Sequence, residues 1–191
     1  MNRTSIVRGA FAATAIMLVG CAGPAPKKSA DRATLASESS AAIDAFTNED
    51  PSLKPLMDKA VGYAVFPEVG KAGFIAGGSY GKGEVFEGGT KIGYADITQG
   101  TFGLQAGAQT FGELLLFMRP DELNDFKGGE FKLAGNVSAV AIKAGAAGTA
   151  DASKGIIAFV RTKGGLMAEA AIGGQRFRFH PLDMSTTKPA E

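Results

Sequence analysis

The sequence predicts an α+β fold in which N-terminal helices cover a curved antiparallel sheet, barrel-like or folded into a sandwich. Helical periodicity is concentrated before residue 60, and most of the later chain consists of short apolar or alternating runs separated by turns. The 27 glycines follow no collagen-like period and lie among many β-branched and aromatic residues, which is typical of strands joined by tight turns. The short links favour antiparallel pairing, because parallel strands need longer crossovers.

Length and charge limit the classes of protein to consider. The 191 residues suit one domain with its own hydrophobic core. The 20 basic side chains are balanced by 19 acidic ones, whereas a nucleic-acid-binding protein normally has a basic excess. We therefore expect no nucleic-acid partner. The single cysteine excludes an intramolecular disulfide, so packing must stabilise the fold.

Residues 1–20 are predicted to be a signal peptide outside the fold. A positively charged start precedes an apolar stretch over residues 9–20, which is shorter than the roughly 20 residues that a membrane-spanning helix needs. The stretch ends at Leu18–Cys21 (LVGC), which resembles the lipobox of bacterial lipoproteins. The resemblance implies cleavage before Cys21 and acylation of that residue. The alternative is an ordinary secretory leader with an accidental cysteine.

Residues 21–30 are predicted to form an acylated tether, since they are rich in proline, alanine and lysine. Acyl chains on Cys21 would anchor the chain stably, at about 0.8 kcal/mol for each buried CH₂ group. In lipoprotein sorting, an aspartate directly after the acylated cysteine directs the protein to another membrane. Ala22 occupies that position here, and this resemblance favours the outer membrane if the source is Gram-negative. We therefore expect a lipid-anchored protein of the bacterial cell envelope, facing the periplasm or exposed at the cell surface.

Residues 31–183 are predicted to form the domain, and residues 184–191 a flexible tail. The domain begins with a helix over Asp31–Thr47, followed by a short helix that Asp50 caps and that has Pro51 at its first position. We expect both helices to cover one face of the sheet. The alternative is an amphipathic helix that lies on a membrane.

The first strands are predicted over residues 61–66 and 72–76, with a turn at Pro67–Gly70 between them. Further along, a Gly88-Gly89 pair between two short β-type runs indicates a hairpin.

The middle of the chain adds two strands and a helix. Thr101–Thr110 alternates as a single strand, whose small polar face is either plain solvent surface or the wall of a groove. Glu113–Met118 is typical of a strand buried on both faces. Pro120 starts a short helix that ends before Gly128.

The last third is predicted to contain four strands. A long one covers Phe131–Ile142, and two more cover Ile156–Arg161 and Leu166–Ile172. The last strand, Gln175–Phe179, has phenylalanines on one face and arginines on the other, which favours an edge strand guarded by charge.

The candidate catalytic motifs lack the neighbouring residues and elements that their chemistry needs. Gly77–Gly81 (GGSYG) matches the G-x-S-x-G nucleophile elbow around Ser79, but that elbow needs a helix after the serine, and the following residues do not start one. A serine triad would have to use His180, the sole histidine. The glycines match no phosphate-loop motif, and one histidine with one lipidated cysteine excludes ordinary zinc sites. We therefore expect no enzymatic activity, no metal and no cofactor.

The segment Ala60–Gly83 (AVGYAVFPEVGKAGFIAGGSYGKG) closely resembles the opening of the SYLF domain. The resemblance covers roughly residues 31–183 and includes Gly103–Gln109 (GLQAGAQ), Leu116–Met118 and Gly165–Ala168 (GLMA). It implies a domain that binds membrane phospholipids, including phosphoinositides in eukaryotic members, some of which also bind actin. It implies no catalytic residues.

Two segments depart from the eukaryotic members. Lys143–Gly145 replaces a Gly-Pro after the long strand, and Glu169 replaces a glycine near the end of the domain. These differences resemble a bacterial lipoprotein branch, and they favour a bacterial phospholipid over a phosphoinositide or actin as the partner.

Basic residues near the Gly-rich turns and on the terminal strand are the candidate contacts for a lipid headgroup. Lysine and arginine can hold such an anion together with backbone N–H groups of the turns. The predicted contacts are Lys71, Lys82, Lys91, Arg176 and Arg178. The alternative is a set of solvated surface charges. At the level of function, the alternative is a structural lipoprotein that binds an envelope protein and touches the membrane only through its anchor.

Overall fold

The structure is a computed structural model, and it describes residues 26, 28–73, 76–102, 108–133, 137–162 and 174–182. The helices are α1 (Ser29–Glu49), α2 (Leu53–Lys59) and α3 (Pro120–Lys127). The strands are β1 (Gly62–Gly73), β2 (Ala76–Glu87), β3 (Thr90–Phe102), β4 (Ala108–Phe117), β5 (Glu130–Lys132), β6 (Val137–Ala141), β7 (Ile156–Thr162) and β8 (Gln175–Pro181).

The strands form one sheet in the order β5-β8-β3-β2-β1-β4-β7-β6. Strands β1 to β3 form a meander and β4 returns beside β1, which is the Greek-key arrangement. The sheet curls into a half-barrel, so that Gln175 of β8 reaches Glu113 of β4 at 2.7 Å across the concave side. The predicted α+β class, with a curved sheet preceded by helices, is confirmed. No helix among the described residues is long and apolar enough to span a membrane.

Strand β1 is continuous where the sequence predicted two strands and a turn at Pro67–Gly70. The register with β2 and with β4 shifts between Val65 and Val69, which marks a β-bulge. Proline has no N–H group to give to a ladder, and a bulge absorbs it without ending the strand. The predicted turn is therefore wrong.

The Gly88-Gly89 hairpin is confirmed. Gly88 has φ of 55° and Gly89 has φ of 78°, so both occupy the left-handed region that two-residue hairpin turns require. The pair joins β2 to β3, with Glu87 opposite Thr90.

Two predicted strands are wrong because each joined residues that lie far apart in the sheet. Thr101–Thr110 is divided between β3 and β4, and β1 and β2 lie between those strands. Its residues 103–107 lie outside the described residues, as does predicted strand Leu166–Ile172. Phe131–Ile142 is likewise divided between β5 and β6, which form the two opposite edges of the sheet.

The edges also differ from the prediction. Strand β8 is not an edge strand, because the short β5 pairs with its outer side. Strand β6 pairs with β7 in parallel, whereas the other pairs among the described strands are antiparallel. The 14-residue link from Ile142 to Gly155 is long enough for this crossover and contains two short 3₁₀ turns.

The sheet buries apolar side chains on both faces. The concave cluster includes Phe66, Leu115 and Phe177, and α3 closes one end of it with Leu123 and Phe126. The convex cluster packs under α1 and α2 and adds residues of the link between β6 and β7. The Phe126 ring lies 4.9 Å from the Phe117 ring, which fixes α3 over the end of the half-barrel. The opposite end of the concave side has a different, polar lining.

Asp50 joins the helices to the link after β6. Its carboxylate accepts hydrogen bonds from Ser52 N at 3.0 Å, Gly145 N at 3.2 Å and Ala147 N at 2.7 Å. Burial alone would raise the pKa of Asp50, but these hydrogen bonds outweigh it and the pKa is lowered. The sequence predicts Asp50 as the cap of a helix that starts at Pro51, but α2 begins at Leu53 with Ser52 as its N-cap, so that prediction is wrong. Asp50 instead holds a distant loop.

Candidate anion-binding surfaces

The structure distributes the five predicted headgroup contacts over both faces of the sheet. Lys71 lies on the concave face, because the bulge in β1 places it in line with Val69 and Phe66. Lys82, Arg176 and Arg178 lie on the convex face, and so does Lys91. The predicted acylation site, Cys21, lies outside the described residues.

One row of side chains across the convex face alternates in charge. It crosses five adjacent strands and consists of Glu68, Lys82, Asp96, Arg178 and Glu130, each directly opposite the next. Opposite charges at such paired positions attract one another, and like charges would repel. This row therefore carries little net charge, although it contains two of the predicted contacts.

The neighbouring row combines cations with hydroxyl groups. Tyr80 lies opposite Thr98, Thr98 opposite Arg176, and Arg176 opposite Lys132. The two rows border a groove of about 340 Å³, here called the arginine groove. Its lining residues are Tyr80, Asp96, Thr98, Glu130, Arg176, Phe177 and Arg178.

The arginines of this groove are accessible. Arg176 and Arg178 are both exposed, and neither forms an ion pair with any residue that the structure describes. Their guanidinium groups can therefore take an external anion without first losing an internal partner. Arginine offers a planar fork of donors that matches the oxygens of phosphate or carboxylate.

Asp96 organises the side of the groove. One of its carboxylate oxygens lies 2.9 Å from His180 Nε2, and the other accepts a hydrogen bond from the Tyr80 hydroxyl group at 3.4 Å. Burial raises the pKa of Tyr80 to about 12, and the charge of Asp96 adds to this effect. Tyr80 therefore stays a neutral hydroxyl group at physiological pH.

Lys91 lies apart from the groove. Its ammonium group forms an ion pair with Glu84 at 2.9 Å and lies 5.3 Å from the centre of the Tyr94 ring. Burial alone would lower the pKa of Lys91, but the hydrogen bond and the charge of Glu84, together with the effect of Tyr94, outweigh burial and the pKa is raised. Glu84 is 2% exposed, so Lys91 serves first as the counterion of a buried carboxylate.

The concave face has a polar lining at the end away from α3. Four residues on neighbouring strands lie directly opposite one another and are here called the polar row: Lys71, Ser79, Gln99 and Gln175. All four are buried. Ser79 Oγ lies 3.4 Å from Gln99 Oε1, and Gln175 donates a hydrogen bond to Glu113 at 2.7 Å.

Glu113 is fully buried among apolar side chains. Burial raises its pKa to about 8, and the hydrogen bond from Gln175 opposes this rise only in part. Its Oε1 atom has no hydrogen-bond partner within the part of the chain that the structure describes. The carboxyl group is therefore largely neutral at pH 7.

The geometry does not assemble a serine hydrolase. Ser79 lies on the concave face within strand β2, whereas His180 lies on the convex face beside Asp96. The backbone of the sheet separates the two side chains, and a strand follows the serine instead of a helix. Among the described residues there is also no group of three or more metal-ligating side chains.

Sequence reasoning missed several residues of these surfaces. Lys132 joins Arg176 through the pairing of β5 with β8, which the prediction of a single strand over Phe131–Ile142 concealed. The sequence pattern predicts Glu113 only as the start of a buried strand, although a carboxylate within such an apolar run is itself a signal of an unusual buried group. Gln99 and Gln175 gave no local signal, since only the sheet brings them together.

One comparison with known proteins finds a family that matches the second half of the chain. A family described as "Ysc84: Las17-binding protein actin regulator" matches residues 98–181, from within β3 to the end of β8. No curated protein matches the chain. The matched segment contains Arg176 and Arg178 of the arginine groove and Lys132 beside it, together with Gln99, Glu113 and Gln175 of the concave side. This match confirms the resemblance found in the sequence over residues 98–181, which are similar to the SYLF (Ysc84) domain family.

Proposed function

We propose that this protein is an acylated envelope lipoprotein whose SYLF domain binds the phosphate headgroup of anionic phospholipids in the arginine groove. The observation that carries the proposal is the row Tyr80–Thr98–Arg176–Lys132, which presents two cations and two hydroxyl groups side by side. The two cations can balance the charge of a phosphate group. The O–H groups of Tyr80 and Thr98 donate to Asp96 and to the carbonyl oxygen of Arg176 beside them.

The neighbouring carboxylates define which part of the groove would be used. Asp96 and Glu130 flank Arg178 in the alternating row, so an anion is repelled from that side. Arg176 and Lys132 face each other without a carboxylate between them. The headgroup therefore binds at the Arg176 end, and Arg178 supplies a second guanidinium group from the adjacent row.

In this proposal Cys21 carries the acyl chains, and the domain makes a second contact with the membrane. The acyl chains anchor the protein, and the electrostatic contact of the groove holds the domain at the membrane surface. The protein would face the periplasm from the outer membrane, with no catalytic activity. A leader that directs the chain to the envelope favours a phospholipid over actin as the partner.

Vesicle sedimentation of a groove variant tests this proposal. We expect Arg176→Gln with Arg178→Gln to weaken binding of the unacylated chain, residues 22–191, to vesicles of phosphatidylcholine and phosphatidylglycerol. Each charge-assisted hydrogen bond contributes about 1.5–3 kcal/mol, so the loss should be at least about tenfold. The control is Lys143→Gln with Lys154→Gln, which removes the same charge from two exposed residues in the link between β6 and β7.

The control variant is expected to retain most of the binding. Equal weakening by both double variants would show that only net charge matters and would contradict a site in the groove. Absence of binding by the unmodified chain would favour the alternative of a scaffold that binds another envelope protein.

A further inference from the structure

A second groove lies on the convex face, between α1 and the strands beneath it. It has a volume of about 280 Å³ and is here called the acidic groove. Three exposed carboxylates line it, Asp31 and Glu38 on α1 and Glu68 on β1. The buried Leu35 and the half-buried Pro67 add an apolar part to the lining. None of the three carboxylates forms an ion pair with a side chain in the described part of the chain.

The acidic groove and the arginine groove lie side by side on this face, and the alternating row runs through both. Glu68 and Lys82 of that row line the acidic groove. Asp96, Arg178 and Glu130 line the arginine groove. Glu68 and Arg178 are three strand spacings apart, which is roughly 15 Å. One partner surface can therefore cover a negative and a positive groove at the same time.

The elements that border the two grooves carry opposite charge. Helix α1 has four acidic residues and one basic one, whereas β5 and β8 together have three basic residues and one acidic one, histidine not counted. Helix α1 packs on β1 and β2, and Arg176 and Lys132 on the convex side of β8 and β5 are exposed. Opposite charges on two surfaces steer them together and fix their register. The acidic side of α1 and the exposed basic strands are therefore complementary to each other.

We propose that this convex face is an interface between two copies of this chain, in which the acidic groove of each copy lies against the arginine groove of the other. A two-fold axis between the grooves places each one opposite its complement, and such an isologous contact closes at two copies. A second copy fits because it carries both charges at the matching separation. Asp31 and Glu38 then face Arg176 and Lys132 of the second copy. The contact weakens with salt, because exposed ion pairs are screened.

Pairing goes beyond the proposed function and does not rest on it, since the acidic groove has no part in headgroup binding. Because both would use Arg176, a paired copy keeps other anions out of the arginine groove. Pairing is measured without vesicles. Its failure would therefore leave headgroup binding standing, and a failure of vesicle binding would leave pairing standing.

The test measures energy transfer between donor-labelled and acceptor-labelled copies of the full chain in a non-ionic detergent, with micelles in large excess over chains. Asp31→Lys with Glu38→Lys reverses the acidic side, and Arg176→Glu with Lys132→Glu reverses the basic side. We expect each double variant alone to pair at least about tenfold more weakly than the unmodified chain, because like charges then face each other. An equimolar mixture of the two double variants should regain pairing, because every contact again joins opposite charges.

The control is Asp58→Lys with Asp125→Lys, which makes the same change in charge as the first variant at two exposed residues outside both grooves. It should retain most of the pairing, and salt raised from about 0.1 M to 0.5 M should weaken pairing of the unmodified chain. No energy transfer between unmodified copies would overturn the proposal and leave the acidic groove to a basic partner of another kind. Equal weakening by the control, or a mixture that stays unpaired although both variants are folded, would overturn it as well.

Thermal unfolding shows whether each variant is folded. Asp31 lies in the first turn of α1, where the helix dipole favours an acidic residue. The neutral pair Asp31→Asn with Glu38→Gln is therefore a second test that places no reversed charge there. It should weaken pairing at least about threefold, because the exposed ion pairs across the interface are lost. Unchanged pairing of this folded variant would contradict a contact between the two grooves.

Discussion

Replacing Glu113 by glutamine should change how the stability of the domain depends on pH. The folded protein holds the carboxyl proton up to about pH 8, whereas the unfolded chain releases it near the ordinary pKa of 4.5. Between these values the unfolded state binds fewer protons, so stability falls as pH rises. At about 1.36 kcal/mol for each pH unit, the loss between pH 4.5 and pH 8 is at most on the order of 5 kcal/mol.

Glu113→Gln removes this loss because the amide does not titrate. Its side-chain oxygen can still accept the hydrogen bond that Gln175 donates. We expect the variant to be about as stable as the unmodified protein at pH 4 and more stable by several kcal/mol at pH 9. Urea unfolding at pH 4, 6, 8 and 9 measures this difference.

Glu38→Gln provides the matched control, because Glu38 is exposed on α1. It should leave the pH dependence of the unfolding free energy unchanged. A difference between Glu113→Gln and the unmodified protein that stays constant from pH 4 to pH 9 would refute the reasoning. The Glu113 carboxyl group would then be solvated or ionised in the folded state.

Two further substitutions test the packing of the domain. Asp50→Ala should lower the unfolding free energy by about 1–3 kcal/mol at pH 7, because two backbone N–H groups of the 143–150 link lose their acceptor. Since the pKa of Asp50 is lowered in the folded state, its contribution should be lost below about pH 4, and urea unfolding at pH 3 should show a smaller difference. Gly83→Ala would place a Cβ atom against Val65 O and 2.6 Å from the Phe66 ring, and should lower the unfolding free energy by about 1–3 kcal/mol or more. Gly100→Ala meets open space and is the control, so an equal effect of both alanines in thermal unfolding would contradict this packing.

The parts of the fold that the sequence predicted correctly have local causes. The Gly88-Gly89 hairpin follows from two adjacent residues that tolerate positive φ. The helix at Pro120 follows from proline at its first turn, acidic residues beside it and Lys127 in its last turn. Each signal lies within a few residues and needs no knowledge of the rest of the chain.

The errors arose where pairing decides the structure. Phe131–Ile142 has strand character at both ends, and nothing local shows that its halves lie at opposite edges of the sheet. The same holds for Thr101–Thr110, whose ends belong to strands that the Greek key separates. β-propensity describes how a segment fits a pleated surface, and it does not choose the neighbouring strand.

The candidate site shows the same limit on a finer scale. The basic residues could be found in the sequence, but the face on which each one lies depends on its position in the register. The bulge near Pro67 shifts that register by one residue, which places Lys71 on the concave face. Without the bulge, alternation from Phe66 would have placed Lys71 on the convex face with Lys82.

The most direct test of the central claim is whether the domain binds a bilayer without its acyl chains. The chain comprising residues 22–191 would be sedimented with neutral and with anionic vesicles at about 0.1 M and 0.5 M salt, where the screening length falls from about 10 Å to a few ångströms. The account predicts binding to the anionic vesicles that weakens at high salt, and little binding to the neutral ones. No binding to either kind of vesicle, or equal binding to both at both salt concentrations, would contradict a headgroup site built from arginine and lysine.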